Sequence, residues 1–204
     1  MQRANLQNTG ERRKSHFINR RPAVNLHHAA RYSEKIGLPL NRLITINFTL
    51  AGCAPEQATK LLQKLIAQRF APWLRRTARA KIDIPPTYVW CMEAAGGQIA
   101  AHVLLHMPTP MMQEFRKHLL EWLSGLLGKV HLDASVLHIQ NVDNLVGAKR
   151  YVLKGIDPVW AAHLAVNAVP QGLVIGKRSG FSRNLGPAAR TRGGYRPRRK
   201  PFGG

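Results

Sequence analysis

The sequence predicts an α+β fold in which an antiparallel sheet carries helices on one of its faces. Three observations support this prediction: a short segment that alternates apolar and polar residues, apolar residues at helical spacing in other segments, and a β-α-β-β-α-β-α order. Of the 204 residues, 45% are hydrophobic, which is enough for a buried core and excludes a wholly disordered polybasic chain.

The first predicted unit is a strand followed by a helix. Residues 43–50 (LITINFTL) place Ile44, Ile46 and Phe48 on one side and polar residues, including Thr45, on the other. Pro55 then opens a helix at its first turn, and apolar residues recur at helical spacing as far as Phe70.

A hairpin and a second helix come next. Residues 88–93 (YVWCME) are aromatic and branched, residues 99–107 (IAAHVLLHM) are apolar, and the glycine turn between them predicts two paired strands. Thr109 and Pro110 have the residue types of a helix N-terminus, and the helix extends to about Gly125–Gly128.

The last predicted unit repeats the first. Residues 135–140 (SVLHIQ) alternate as a fourth strand, and residues 145–154 form a third, more basic helix that closes at Gly155. A repeated β-α-β order is typical of the split βαβ, or ferredoxin-like, arrangement, with two helices on one face and the other face left open.

The positive charge is concentrated at the two ends of the chain. The formal net charge is +21, and residues 177–204 carry nine basic residues and no acidic ones. We therefore predict a basic N-terminal arm over 1–40, a folded domain over 41–176 and a disordered Gly/Pro/Arg-rich tail over 177–204. A chain of this charge binds polyanions by releasing their counterions, so nucleic acid is the expected partner.

The sequence gives little support to a metal- or nucleotide-binding protein or to a membrane protein. The two cysteines form no CxxC, no Walker A loop or GxGxxG is present, and no stretch is apolar and long enough to span a bilayer. These observations predict a cytoplasmic protein without a membrane partner.

Three local patterns suggest chemistry, and each has an ordinary structural alternative. His102 and His106 share a strand face but lie roughly 13 Å apart, too far to chelate one ion. Tyr151 and Lys154 fall on the same side of a helix, where the ammonium could hold a phosphate beside the phenol, or the two could be an ordinary half-buried tyrosine and surface lysine. Tyr88 shares a face with a tryptophan, which suits either base stacking or core packing.

Taken together and in order, these segments resemble the HUH endonuclease superfamily, and within it the rolling-circle replication initiators (Rep proteins) of plasmids and phages. Residues 48–51 (FTLA) are similar to its first motif, residues 100–108 (AAHVLLHMP) to its second, and Tyr151-Val-Leu-Lys154 to its third. The resemblance covers roughly residues 42–157. It departs from the family at Ala100, which stands where the first motif histidine is expected.

The resemblance implies a site-specific DNA nicking reaction. Tyr151 would attack a scissile phosphate of single-stranded or hairpin origin DNA to leave a 5′-phosphotyrosine, and Lys154 would assist it. A divalent ion, Mg²⁺ or Mn²⁺, would be held by His102 with Glu93 and His106 as further candidates. Host helicase and replication proteins in a bacterial cytoplasm are the implied partners.

Six residues flanking this region are candidate DNA contacts, and two alternatives to a nicking enzyme stay open. The candidates are Arg42, Thr49, Lys149, Arg150, Lys177 and Arg178. The first alternative is a non-catalytic nucleic-acid-binding module, which is either a degenerate initiator or an RNA-binding protein. The second is a structural polycation of ribosomal or chromatin type, supported by charge alone.

Overall fold

The computed structural model describes residues 13–81, 84–128 and 132–196, and it contains two antiparallel sheets and helices. The strands are β1 (Lys14–Ser15), β2 (Arg42–Asn47), β3 (Tyr88–Glu93), β4 (Ala100–Leu105), β5 (Leu137–Asn141), β6 (Val174–Ile175) and β7 (Ser179–Phe181). The α-helices are α1 (Arg20–Lys35), α2 (Pro55–Lys64), α3 (Ala71–Lys81), α4 (Met112–Leu127), α5 (Leu145–Leu153), α6 (Pro158–Ala161) and α7 (Pro187–Arg192).

The main sheet has five strands in the order β5-β2-β4-β3-β7, and every neighbouring pair is antiparallel. The four strands predicted from the sequence form the first four positions of this sheet, which confirms the α+β class with an antiparallel sheet. The fifth strand, β7, lies in the segment predicted to be a disordered tail, and β1 pairs with β6 in a separate two-stranded sheet.

One face of the five-stranded sheet packs against α2, α3 and α4. The side chains of Ile44, Ile46 and Phe48 are at most 2% exposed and point to this face, as their alternation predicts. Helix α2 continues into α3 through a π-helical stretch at Leu65–Phe70. Trp90 is also buried in this cluster, and Tyr88 packs against the Phe70 ring, so the base-stacking interpretation of this aromatic pair is wrong.

The opposite face, predicted to be open, is covered by α1 and α5. Leu26 and Ala30 of α1 and Leu153 of α5 are almost completely buried against Val89 and Leu104 of the sheet. The alanines of α1 let this helix lie close to the sheet, and burial of its apolar side outweighs the basic charge of its first turn. The expectation of an open face is therefore wrong, and so is that of a separate N-terminal arm for residues 13–40; residues 1–12 lie outside the described residues.

The C-terminal segment also belongs to the domain as far as it is described. Helix α7 packs on α1, where Tyr32 donates a hydrogen bond to the Ala189 carbonyl and the buried Arg190 binds Asn25. Tyr195 stacks edge-on against Tyr32. The prediction of a disordered tail is thus wrong for residues 177–196, because specific long-range contacts order a composition that looks disordered; residues 197–204 lie outside the described residues. In the described ranges, no helix is both long enough and apolar enough to cross a membrane.

Candidate functional site

The centre of the candidate site is His102, which lies in the middle of β4 and is only 1% exposed. Its register partners are Thr45 on β2 and Cys91 on β3, and residues directly opposite each other in a sheet share a face. The Thr45 hydroxyl lies 3.0 Å from His102 Nδ1, which fixes the orientation of the ring. The imidazole therefore presents Nε2 to the face that α5 covers.

Glu93 links His102 to the helix above it. It ends β3 on the same face, and its Oε1 lies 2.8 Å from His102 Nε2 while its Oε2 lies 2.9 Å from Lys154 Nζ. A carboxylate only accepts hydrogen bonds, so His102 Nε2 carries a hydrogen and donates it to Glu93. Glu93 and Lys154 are 13% and 22% exposed, so this ion pair is partly shielded from water.

The Glu93–Lys154 ion pair shifts both titrations. Burial alone would raise the pKa of Glu93, but the hydrogen bonds and charges of His102 and Lys154 outweigh it and hold that pKa below its usual 4.5. Burial alone would lower the pKa of Lys154, but the hydrogen bond and charge of Glu93 raise it above 10.5. Both groups are consequently charged at neutral pH.

Tyr151 lies on α5 directly above His102. Its hydroxyl is 3.5 Å from His102 Nε2, the two rings meet edge to face at 4.8 Å, and Lys154 Nζ lies 4.1 Å from the centre of the phenol ring. The tyrosine is 41% exposed, and it lines a groove on the β5 side. The i, i+3 spacing that the sequence showed thus puts the phenol and the ammonium over one imidazole.

Helix α5 is held in place at both ends. Asn144 caps its N-terminus by accepting a hydrogen bond from the Gly147 backbone N–H at 3.1 Å, and Val152 and Leu153 are buried against the sheet. The side of the helix that carries Tyr151 and Lys154 is therefore fixed relative to β3 and β4.

The donor set does not fit a resident divalent ion. His102 and Glu93 already contact each other, and the described residues contain no group of three metal-binding side chains. A catalytic metal normally takes three protein ligands. Ala100, which faces Glu93 in register and lies two residues from His102 on the same side of β4, brings no donor to the position where a third one would complete the set.

His106 is not part of the site. It follows β4, four residues beyond His102, and its Nδ1 donates to the Pro39 carbonyl at 2.8 Å. The tentative assignment of His106 as a metal ligand is therefore wrong, because the strand carries it away from Glu93 and a backbone carbonyl occupies the nitrogen.

The predicted DNA contacts divide into buried and exposed residues. Arg42 is 8% exposed and donates to the Asn41 carbonyl and to the Thr109 hydroxyl, and the Thr49 hydroxyl accepts from the Ile99 backbone N–H. Arg178 is 6% exposed and binds three backbone carbonyls. The predictions of Arg42 and Arg178 as surface contacts are wrong, because these buried side chains bind groups of the fold, whereas Thr49 is exposed and stays a predicted contact.

The other three basic residues are accessible. Arg150 and Lys177 are exposed, and Lys149 is half-buried between α5 and α1. Burial and the positive charges of Arg31 and Arg150 lower the pKa of Lys149, so like charges are gathered beside the helix that carries Tyr151. Sequence reasoning missed Arg31, because no local pattern indicates that α1 packs beside α5.

A groove of about 590 Å³ opens next to the tyrosine on the β5 side. Its polar wall comprises Thr45, His138, Gln140, Asn141, Asp143, Asn144 and Tyr151. The alternation of residues 135–140 pointed to His138 and Gln140 as polar positions, and in the structure the Gln140 amide lies 3.0 Å from His138 Nδ1. Amide and imidazole groups beside an exposed tyrosine can hydrogen-bond to a polar ligand.

No protein-family model, curated protein or solved structure matches this chain.

Proposed function

We propose that this protein is a replication-initiator-like DNA-binding protein that nicks single-stranded or hairpin origin DNA through Tyr151. One observation carries the proposal. Four side chains from three separate elements meet on one face of the sheet, and each lies within 4.1 Å of another member of the set: Tyr151, Lys154, His102 and Glu93. The motifs that resemble the HUH superfamily lie far apart in the sequence, and their convergence is what a shared catalytic site requires.

The chemistry is a transesterification, in which the scissile phosphate exchanges its bond to the 3′ oxygen for a bond to the tyrosine. The phenol oxygen attacks phosphorus, the bond from phosphorus to the 3′ oxygen breaks, and the proton lost by the phenol is gained overall by the 3′ oxygen. The products are a 5′-phosphotyrosine and a free 3′-OH. No water enters this step, so the energy of the phosphodiester is kept for a later ligation.

The surrounding groups supply positive electrostatic potential for this transfer. The Lys154 ammonium lies beside the phenol and would stabilise the negative charge that builds on the attacked phosphate, while the His102 Nε2–H is donated to Glu93. Glu93 keeps the two donors in position and the ammonium charged. The exposed cations Arg150 and Lys177 would attract the DNA backbone, and binding would weaken steeply with salt.

A non-catalytic nucleic-acid module is the second candidate, and one observation favours it. Ala100 leaves the position beside Glu93 without a donor, and Glu93 is already committed to Lys154 and His102. In that case the same surface would bind single-stranded DNA or RNA without breaking it.

The two candidates are separated by a covalent-adduct assay. The purified protein is incubated with a pool of labelled single-stranded DNA hairpins with randomised loops, in Mg²⁺, Mn²⁺ or EDTA, and resolved on a denaturing gel. We expect an adduct that Tyr151→Phe abolishes and whose labelled peptide contains Tyr151. Tyr88→Phe is the matched control, because this half-buried tyrosine lies on the opposite face of the sheet.

Two results would change the conclusion. Salt-dependent binding of the pool without any adduct would favour the non-catalytic module. An adduct that persists in Tyr151→Phe would refute Tyr151 as the nucleophile.

A further inference from the structure

A second cavity, away from the tyrosine, is lined by positive charge. It encloses about 280 Å³ between the N-terminal segment, the start of α1 and β7. Four basic residues line it, Arg13, Arg21, Lys177 and Arg178, and no lining residue is acidic. Four cations around one cavity create a positive potential that attracts an anion.

The start of helix α1 adds to this potential. The helix is 16 residues long, its first turn contains no acidic residue, and the Asn19 side chain makes no capping hydrogen bond. The first backbone N–H groups of a helix have no partner within it and carry partial positive charge. Asn19, Arg21 and Pro22 of this first turn line the cavity, so the helix end faces it.

One of the four cations is fixed in the cavity wall. Arg178 is 94% buried, and its terminal nitrogens bind the carbonyls of Ser15, Gly172 and Gln171. Its positive charge therefore stays beside the cavity, and no acidic side chain lines the cavity to balance it.

We propose that this cavity is a binding site for a phosphate group, as a monoester or as a phosphodiester of a nucleic-acid strand. A phosphate supplies the negative charge that the cavity lining lacks, and its oxygens can accept hydrogen bonds from the basic side chains and from the helix N-terminus. Phe17 and Phe181 line the same cavity and offer apolar surface to an attached sugar or base.

The site is distinct from the tyrosine centre but lies on the same sheet. Ser179, which lines the cavity, pairs in register with Cys91, and Cys91 pairs with His102. Two strand spacings amount to about 10 Å, so one strand of nucleic acid could contact both places. The phosphate site does not depend on the nicking reaction, because none of its lining residues belongs to the Tyr151 cluster.

The experiment compares two neighbouring arginines of one helix. Arg21 lines the cavity, whereas Arg20 lies over the Trp160 ring at 4.3 Å and does not. Binding of inorganic phosphate and of the unphosphorylated trinucleotide TpTpT is measured by calorimetry at constant ionic strength. We expect Arg21→Ala and Lys177→Ala each to weaken binding about tenfold, the loss of one charged hydrogen bond, and Arg20→Ala to leave it within about twofold.

The arms of the experiment identify the source of the phosphate. Binding of inorganic phosphate alone would assign a free or terminal phosphate, and binding of TpTpT would assign the backbone; either result supports the site. Equal weakening by Arg20→Ala and Arg21→Ala, or no saturable binding of either probe to the wild-type protein, would overturn the proposal. The adduct assay on Tyr151 can fail without affecting this result.

Discussion

Replacing Glu93 with glutamine tests whether the bridge between His102 and Lys154 holds the site together. Glutamine keeps the shape of the side chain but removes its charge. The carboxylate makes two charge-assisted contacts, at 2.8 and 2.9 Å. Each is worth about 1.5–3 kcal/mol, and glutamine retains one neutral hydrogen bond worth about 1 kcal/mol.

These figures give an expected loss in the free energy of unfolding at pH 7 of about 2–5 kcal/mol, and the partial exposure of both side chains places it at about 2–3 kcal/mol. For a chain of this size, that corresponds to a melting temperature lowered by roughly 4–12 °C. The loss stays below the larger figure for fully buried ion pairs, because Glu93 is 13% exposed and Lys154 is 22% exposed.

The pH dependence gives the sharper test. The pKa of Glu93 is depressed in the folded protein, so its contribution is present above the unfolded value of 4.5 and is lost as the pH falls through the folded pKa. The pKa of Lys154 is raised, so its contribution is present below 10.5 and is lost as the pH rises through the folded pKa. Between these limits the wild-type advantage should be constant, and at acidic pH it should disappear.

Urea denaturation followed by tryptophan fluorescence at pH 3, 5 and 7 measures this difference. Glu114→Gln is the matched control: Glu114 is 51% exposed in a 3.7 Å ion pair with His118, and its loss should change stability by less than about 1 kcal/mol. A Glu93→Gln protein as stable as the wild type at pH 7, or a deficit that persists unchanged at pH 3, would refute this reasoning.

Three further predictions concern the packing around the site. Arg190→Met should lower the free energy of unfolding by about 2–3 kcal/mol in urea denaturation, because a buried guanidinium loses its hydrogen bonds to α1; no loss would mean that α7 does not hold that helix. Burial raises the pKa of Cys91 to about 12, so its thiol should resist iodoacetamide at pH 8 in the native protein and react in urea; labelling of the native protein, located by peptide mass, would contradict this. Gly180→Ala should cost about 1–3 kcal/mol, because its Cβ would lie 2.7 Å from the Trp90 ring, whereas Gly125→Ala, with open space around it, should be neutral or stabilising.

The elements of the central sheet could be predicted from the sequence because their signals are local. The predicted strand 88–93 is β3 residue for residue, and the helix predicted from Pro55 to Phe70 corresponds to α2 and the π-helical stretch that follows it. Alternating apolar residues identified the side of β2 that faces α2–α4, because burial of one face imposes a two-residue period. The same signals placed Tyr151 and Lys154 on one side of a helix.

The ends of the chain could not be predicted because their order depends on distant partners. Residues 177–196 are rich in glycine and arginine, yet Arg190 is 92% buried through contacts with Asn25, 165 residues earlier in the chain. The prediction that Arg42 and Arg178 contact DNA failed for the same reason. Position beside a motif does not show whether a guanidinium faces solvent or a backbone carbonyl.

The contacts of Glu93 with His102 and Lys154 could not be predicted from the sequence either. The sequence did not show which face of its strand Glu93 occupies, and this face decides whether the carboxylate meets the helix above. By contrast, the meeting of Tyr151 with His102 followed from the resemblance and is what the structure shows.

The packing of α7 on α1 has a consequence for how the chain acquires its structure. Tyr32 and Ala189 are separated by 157 residues, so a newly made α1 emerges long before the segment that covers it. Until α7 is made, part of the apolar side of α1 stays exposed. The contact then has to close a loop of more than 150 residues, which is slow. Truncation before residue 183 should therefore leave part of the apolar side of α1 exposed and lower the solubility of the chain.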